Sequence, residues 1–230
     1  MSVVADPNIV LSGLVLCLDA ANPKSYPGSG TTWTDVSGNG NNGTLTNGPT
    51  YSSADGGSLV FNGSTTYVTV PDSPLLSFTN NIFTFDYWVK FNTVASIGVL
   101  GKMTTWEYAF RSSTSGVLQF ITWNLSGTQV YASPSTPSTN VSTSTWYHHL
   151  STADGTTNTI YVNGVLVATA TRSTNTMGDG TNPLILGAGG DAGGWKYLDG
   201  NLSTVKIYNR YFSAAEAAQN FNALRGRYGI

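Results

Sequence analysis

The sequence is short of cysteine, of charge and of long apolar runs. Its one cysteine, Cys17, can form no internal disulfide and no thiolate metal cluster. Its place in the apolar run 14–18 predicts a small buried core residue. Charged residues make up 10% of the chain, against about 25% in an average soluble domain. The surface must therefore be built from Ser, Thr, Asn and Gly.

The charge pattern also limits the partners. The formal net charge is -2, and no Lys/Arg cluster could neutralise a row of phosphates, so we expect no nucleic-acid partner. No apolar run approaches the roughly 18 residues of a membrane-spanning helix, so we expect no membrane insertion. Residues 1–10 have neither the basic nor the apolar part of an export signal.

What is present is typical of a β protein. Short runs of β-branched, aromatic and aliphatic residues lie between clusters of Gly, Asn, Ser, Thr and Pro. They predict antiparallel strands over residues 14–19, 58–61, 67–70, 82–91, 97–101, 108–112, 117–123, 129–133, 146–153, 159–162, 165–170, 184–186 and 198–208. No domain boundary or internal repeat stands out, and sandwiches of this length are commonly one domain. We expect residues 1–230 to form a single all-β, antiparallel sandwich.

Local signals add detail to this fold. Residues 82–91 alternate apolar and polar side chains, which predicts a central strand. Asn163-Gly164 separates two apolar runs and predicts a two-residue type I′ hairpin turn. Ser213 and Glu216 form an S-x-x-E capping box, which predicts one short C-terminal helix, from Ser213 to about residue 224.

Several segments, in order, resemble the concanavalin A-like lectin/glucanase superfamily in its laminin G-like branch. They are residues 16–19 (LCLD), 33–44 (WTDVSGNGNNGT), 58–63 (SLVFNG), 83–90 (FTF leading to WVK), 146–150 (WYHHL), 161–164 (YVNG) and 200–211. The resemblance implies a jelly roll of two curved antiparallel sheets. This fold is used for sugar binding, adhesion and, with added acids, glycan hydrolysis, and it does not decide among them.

A narrower resemblance concerns both ends of the chain. Residues 18–49 and 207–229 look like a version of this domain in structural proteins of tailed bacteriophages. It implies a virion protein, which would be made in the host cytoplasm and leave by lysis. The absence of an export signal in residues 1–10 agrees with that expectation.

Hydrolysis would need two carboxylates placed across the sugar. The glutamates are Glu107 and Glu216, and Glu216 is assigned to the helix cap. A lone strand carboxylate such as Glu107 is most often solvated, so we expect no catalysis. His148 and His149 are adjacent and point to opposite faces of a strand, so they cannot share a metal ion, and one of them is expected to be exposed.

The segment 35–43 is a candidate calcium site, with Asp35, Asn39 and Asn41 as ligands. It offers one carboxylate, amide carbonyls and glycines that let the backbone fold over a cation. The alternative is an Asx-rich turn without an ion. Related laminin G-like domains often bind calcium near the sheet rim with an acidic pair, and Ser203 and Thr204 occupy the place of that pair here.

Sugar recognition would need aromatic faces beside hydrogen-bonding groups. Trp106, Trp195 and Tyr197 are the candidates, the last two because they follow the glycine-rich segment 187–194. The alternative for each is packing under a loop. Trp88 and Trp146 lie inside predicted strands and are expected to pack.

The C-terminal residues Arg225, Arg227, Tyr228 and Ile230 are a candidate interface, because arginine and tyrosine are frequent at binding hot spots. The alternative is a frayed tail. Few charges and uncovered strand edges favour assembly with copies of the chain or with other virion proteins.

Together these observations lead to one hypothesis and two alternatives. The leading hypothesis is a non-catalytic component of a phage virion, in capsid decoration or a tail fibre, that contacts host-surface glycan. The first alternative is a secreted or cell-surface lectin-like domain, and the second is a glycan hydrolase.

Overall fold

The computed structural model describes residues 8–102, 107–123, 127, 140–172, 176–189 and 197–230, and the backbone of residues 129–132. Two antiparallel β-sheets pack face to face, each of eight strands, which are numbered here in chain order. The predicted all-β antiparallel sandwich with one short C-terminal helix is therefore confirmed.

The first sheet has the order β14-β13-β12-β7-β16-β5-β4, and β1 also pairs with β16. Its strands are β1 (Leu14–Asp19), β4 (Thr50–Ser52), β5 (Ser58–Asn62), β7 (Ile82–Phe91), β12 (Trp146–Asp154), β13 (Thr157–Val162), β14 (Val165–Thr171) and β16 (Asp199–Tyr208).

The second sheet has the order β11-β10-β9-β8-β15-β6-β3-β2. Its strands are β2 (Thr32–Trp33), β3 (Gly43–Thr46), β6 (Tyr67–Val70), β8 (Ile97–Lys102), β9 (Tyr108–Ser112), β10 (Leu118–Trp123), β11 (Gln129–Ala132) and β15 (Leu184–Leu186). Short 3-10 turns at Ala54–Gly56 and Pro74–Leu76 lie outside the sheets.

Strand β7 is central, as its pattern predicts, because it lies between β12 and β16. Its inner side chains, Phe83, Phe85, Tyr87, Val89 and Phe91, belong to the main core between the sheets. They pack against rings of the second sheet. Phe85 and Phe110, for example, have ring centroids 4.7 Å apart. Burial of such rings is the main stabilising contribution to a sandwich.

The opposite face of β7 is covered by the C-terminus. Helix α1 (Ala214–Leu224) begins at the predicted capping box, in which the Ser213 hydroxyl accepts from the Glu216 backbone N–H and the Glu216 carboxylate accepts from the Ser213 N–H. A 3-10 turn, Arg225–Tyr228, follows and places Tyr228 on Trp88. The central strand is thereby buried on both faces.

The hairpin between β13 and β14 has the predicted turn, since φ is 50° at Asn163 and 75° at Gly164. The strands β2, β3 and β4 were not predicted from the sequence. In the described part of the chain, no helix has the length and apolar character needed to cross a membrane.

Candidate functional site

A turn at one end of the sandwich connects the two sheets and positions Tyr67. It runs from the end of β5 to the start of β6, and the Asn62 side chain organises it. The Asn62 carbonyl oxygen accepts from the backbone N–H groups of Ser64, Thr65 and Thr66 at 3.0, 2.9 and 3.2 Å. Tyr67 is the first residue of β6 and points outward, since Val68 is fully buried and Tyr67 is half-buried.

Tyr197 lies beside Tyr67, although the two are 130 residues apart in the chain. It is half-buried, two residues before β16. The ring centroids are 6.3 Å apart and the planes are tilted by 41°. Within the described residues, neither phenol hydroxyl has a hydrogen-bond partner. Two rings with accessible surface and free hydroxyls at one point form an amphipathic platform.

Polar groups lie at the start of β16, two residues after Tyr197. Asp199 begins β16, and its Oδ1 accepts from the Asn92 side-chain amide at 3.1 Å. Gly63 packs on Asp199, where an added Cβ would come within 2.8 Å of the Asp199 Cβ. The result is a rim that combines aromatic surface with a carboxylate and a carboxamide. We call Tyr67, Tyr197, Asp199 and Asn92 the aromatic rim.

The aromatic rim continues into the outer face of the second sheet. Thr46 pairs with Tyr67, and Thr44 pairs with Thr69, which also pairs with Ile185 of β15. These side chains are exposed or half-buried, whereas the alternating Leu45 and Val68 face the core.

At the far end of this face lies a cleft of about 560 Å³. Its lining mixes polar and apolar surface, and Asp72 is the one charged residue among the described residues that line it: Thr32, Gly40, Asn41, Asn42, Thr44, Pro71, Asp72, Ser73 and Pro74.

Of the three aromatic sugar-binding candidates, Tyr197 lies in this site. Trp106 and Trp195 lie outside the described residues. Tyr67 was missed by the sequence reasoning, although its alternation with Val68 and Val70 already places it on an outer face.

The calcium candidates form a different structure. The Asp35 carboxylate accepts four bonds: from the N–H groups of Cys17 and Ser37 at Oδ1, and from the Ser37 hydroxyl and the Asn41 N–H at Oδ2. The amide groups of Asn39 and Asn41 point their donors at backbone carbonyls of β1. A carboxylate surrounded by donors does not fit a cation. The geometry therefore favours the alternative of an Asx-rich turn.

No wider metal cage is present in the described ranges, where no three His, Cys, Asp or Glu side chains come together. Cys17 is buried, as predicted, and burial raises the pKa of its thiol to about 11.

The structure buries part of the candidate interface and leaves the rest exposed. Tyr228 is 7% exposed and donates from its hydroxyl to Ser203 Oγ at 2.8 Å. Arg227 forms a two-pronged contact with the Asp19 carboxylate, at 2.9 and 3.3 Å. Both residues hold their own domain together, so Tyr228 is not the interface residue that we expected, and this segment is not a frayed tail. Arg225 and Ile230 are exposed.

The expectation of a solvated Glu107 is wrong. Its side chain is fully buried beside Lys102, with Nζ and Oε1 3.1 Å apart. The Gly180 N–H donates to the same oxygen at 3.2 Å. Burial raises the pKa of Glu107, and Lys102 opposes that shift. The two residues are close in the chain, but the sequence does not show that the β8–β9 hairpin buries both side chains.

The expectation that one histidine is exposed is also wrong, although the two do point to opposite faces. His149 faces the core, where Nε2 is 2.7 Å from the Ser151 hydroxyl and Nδ1 contacts the Tyr87 hydroxyl. Burial lowers the pKa of His149 to about 3. His148 is buried on the other face, with its Nε2 3.3 Å from an Asp86 carboxylate oxygen, because helix α1 covers it.

Several solved structures share this fold. The binding domain of Paraclostridial Mosquitocidal Protein 1 is 19% identical with a TM-score of 0.73, over 92% of this chain and 52% of that one. The binding domain of botulinum neurotoxin DC in complex with SialylT is 14% identical, with a TM-score of 0.72, over 93% and 52%. This chain thus spans about half the length of the two toxin fragments.

Domain 4 of AbnA, a GH43 extracellular arabinanase from Geobacillus stearothermophilus, in complex with arabinotriose, matches at nearly full length. It is 19% identical with a TM-score of 0.65, over 91% of this chain and 98% of that one. A Trypanosoma rangeli sialidase also matches, and there the chain corresponds to 33% of that protein.

In sequence, no curated protein gives a significant match. A family model does match, over residues 62–218, which include both tyrosines of the aromatic rim. That span exceeds half of the chain, and together with the two-sheet fold it shows that the chain belongs to the concanavalin A-like lectin/glucanases superfamily.

Proposed function

We propose that this chain is a carbohydrate-binding module whose ligand stacks on Tyr67 and Tyr197. The observation that carries the proposal is the pairing of these two half-exposed rings, at the end of the sandwich where β16 begins with the hydrogen-bonded Asp199 and Asn92. Sugar rings present C–H groups to aromatic faces and hydroxyls to carboxylates and amides, so the aromatic rim offers both kinds of contact.

Three structures with this fold contain saccharides by their descriptions: the arabinanase domain with arabinotriose, the neurotoxin domain with SialylT and the sialidase with sialic acid. At 14% to 19% identity they share the fold, and their ligands support a carbohydrate as the class of compound to test first. The aromatic rim of this chain supplies the side chains that would contact the sugar.

We propose binding without cleavage. A glycosidase needs a carboxylic acid that reaches the glycosidic oxygen. Glu107 has the raised pKa of such an acid, but its side chain is fully buried and its Oε1 contacts Lys102. Glu216 caps helix α1, where Arg210 holds it at 2.6 Å.

The proposal is tested by equilibrium binding of a panel of neutral and sialylated oligosaccharides to the full chain and its variants. Removing one stacking ring, in Tyr67→Ala or Tyr197→Ala, should weaken binding about tenfold. Tyr211→Ala is the matched control, since Tyr211 is 40% exposed and lies next to helix α1. Binding that survives loss of both rim tyrosines would refute this site.

We further propose that the module works on a tailed-phage particle, in capsid decoration or a tail fibre, assembled with copies of itself or with other virion proteins. Support comes from the two end segments that resemble phage structural proteins. They meet in the fold at the ion pair between Asp19 and Arg227. Mass spectrometry of purified particles from a phage that encodes this chain is the test. If this chain is absent from the particle, the alternative of a secreted or cell-surface lectin-like domain is favoured.

A further inference from the structure

The aromatic rim and the Asp72 cleft lie at two ends of one outer sheet face. Outward side chains on a strand recur every second residue, so Tyr67 at the start of β6 and Pro71 just after its end are roughly 13 Å apart. A single sugar ring cannot contact both ends. The face between them carries the hydroxyls of Thr69, Thr44 and Thr46, which lie on paired positions of β6 and β3.

We infer that the ligand is a neutral oligosaccharide that lies along this face, with one part on the tyrosine pair and another in the Asp72 cleft. The inference rests on the proposed function and extends it, because it names the class of glycan and a second point of contact. Threonine hydroxyls both donate and accept, so the floor of the face can hydrogen-bond sugar hydroxyls in either direction.

The cleft has a fixed acceptor. Lys102 is fully buried, and its Nζ donates to Asp72 Oδ1 at 2.8 Å and to the Ser77 hydroxyl at 2.9 Å. This holds the Asp72 carboxylate in place while its side chain remains 31% exposed. Oδ2 has no hydrogen-bond partner among the residues that the structure describes. A held carboxylate with an accessible oxygen binds sugar hydroxyls without losing side-chain freedom.

The charges favour a neutral ligand. The cleft lining contains Asp72 and no lysine or arginine among its described residues. The Lys102 ammonium group that pairs with Asp72 is fully buried, so an acidic sugar in the cleft would approach the carboxylate, and such like charges repel. Asp72 therefore selects against sialylated and other acidic glycans.

The test measures affinity against oligosaccharide length. Neutral oligosaccharides of two to six residues, from arabinan, galactan and glucan, are titrated into the full chain, with sialylated oligosaccharides alongside. We expect affinity to rise with length in a neutral series and then level off. Asp72→Asn and Thr44→Val should each weaken the longest members about threefold or more and leave the shortest unchanged. Thr44→Val keeps the shape of the side chain and does not touch the Lys102 network.

The outcomes separate the two proposals. Equal affinity for short and long oligosaccharides, or long members that are insensitive to both cleft variants, overturns the inference. Preference for sialylated probes overturns it as well. In both cases the proposed function survives if Tyr67→Ala still weakens binding. If no oligosaccharide of any class binds, the proposed function fails, and the inference fails with it.

Discussion

The phenol ring of Tyr228 stacks on the indole of Trp88, with ring centroids 4.0 Å apart and planes 18° apart. Tyr228 also lies 4.8 Å from the Trp146 ring. The last residues of the chain therefore close the outer face of the first sheet over its central strand.

Tyr228→Ala should lower the free energy of unfolding by about 3 kcal/mol, because it removes a buried ring and leaves a cavity over Trp88. Tyr228→Phe should cost about 1 kcal/mol, since it removes the hydroxyl bonded to Ser203 and keeps the ring. Chemical denaturation measures both. Ile230→Ala is the control, because Ile230 is 40% exposed. A Tyr228→Ala protein as stable as this control would show that the C-terminal turn does not stabilise the sheet.

The burial of Tyr228 determines which variants can test the assembly of this chain. Deleting residues 226–230 would remove Tyr228 and damage the fold, so it cannot test an interface. Substituting the exposed Arg225 and Ile230 avoids that problem. We expect this double variant to unfold like the wild type, and reduced association in sedimentation would assign the contact to these two residues.

The helix cap gives a second stability prediction. Ser213→Ala should cost about 1 kcal/mol, because the first turn loses the acceptor for the Glu216 N–H. Ser213→Asp, which keeps a cap acceptor, should restore most of it. Thermal unfolding followed by circular dichroism compares the two. Equal melting of Ser213→Ala and wild type would contradict the capping role.

His149 predicts how stability depends on pH. Burial lowers its pKa to about 3 in the folded chain, whereas an unfolded histidine titrates near 6.5. Below that value the unfolded state binds a proton that the folded state does not, so stability falls as the pH is lowered. The slope from this group approaches about 1.4 kcal/mol per pH unit.

The measurement is the free energy of unfolding at several values between pH 5 and 6.5. His149→Gln should be less stable, because it disturbs the contacts to Tyr87 and Ser151, yet its pH dependence should be shallower than that of the wild type. An identical slope in both proteins would mean that His149 is not held neutral.

Substituting Glu107 tests whether this residue has a structural or a catalytic role. Glu107→Gln should cost about 2 to 3 kcal/mol, because it breaks a buried pair while Asp72 still contacts Lys102. Release of reducing ends from polysaccharides should stay at background in both proteins. Glu216→Gln, at the other glutamate, is the control. Turnover in the wild type that disappears in Glu107→Gln would overturn the non-enzyme account.

Much of the fold follows from local patterns. Alternation predicted that β7 is central, Asn163-Gly164 predicted the turn between β13 and β14, and the S-x-x-E box predicted the start of α1. The strands β2, β3 and β4 were missed because they have two to four residues each, which is too short for apolar and polar side chains to show an alternation.

The candidate site was less predictable, because it depends on contacts between distant segments. Tyr197 was chosen for its neighbouring glycines, but its partner Tyr67 belongs to the other sheet, and no spacing in the sequence links the two. Glu107 and Lys102 are close in the chain, at the facing ends of β8 and β9, but the sequence does not show that both side chains are buried. The residues around Asp35 are of types that bind calcium. Only the four hydrogen bonds that the Asp35 carboxylate accepts show that it orders a turn.

The most direct test of the central claim is chemical-shift mapping by nuclear magnetic resonance with the oligosaccharide that binds best. If the aromatic rim binds the ligand, the largest shifts fall on Tyr67 and Tyr197, on Asn92 and Asp199, and, for longer ligands, on the threonines of β3 and β6. Shifts confined to other surfaces, such as α1 or the edge strand β14, would contradict this claim.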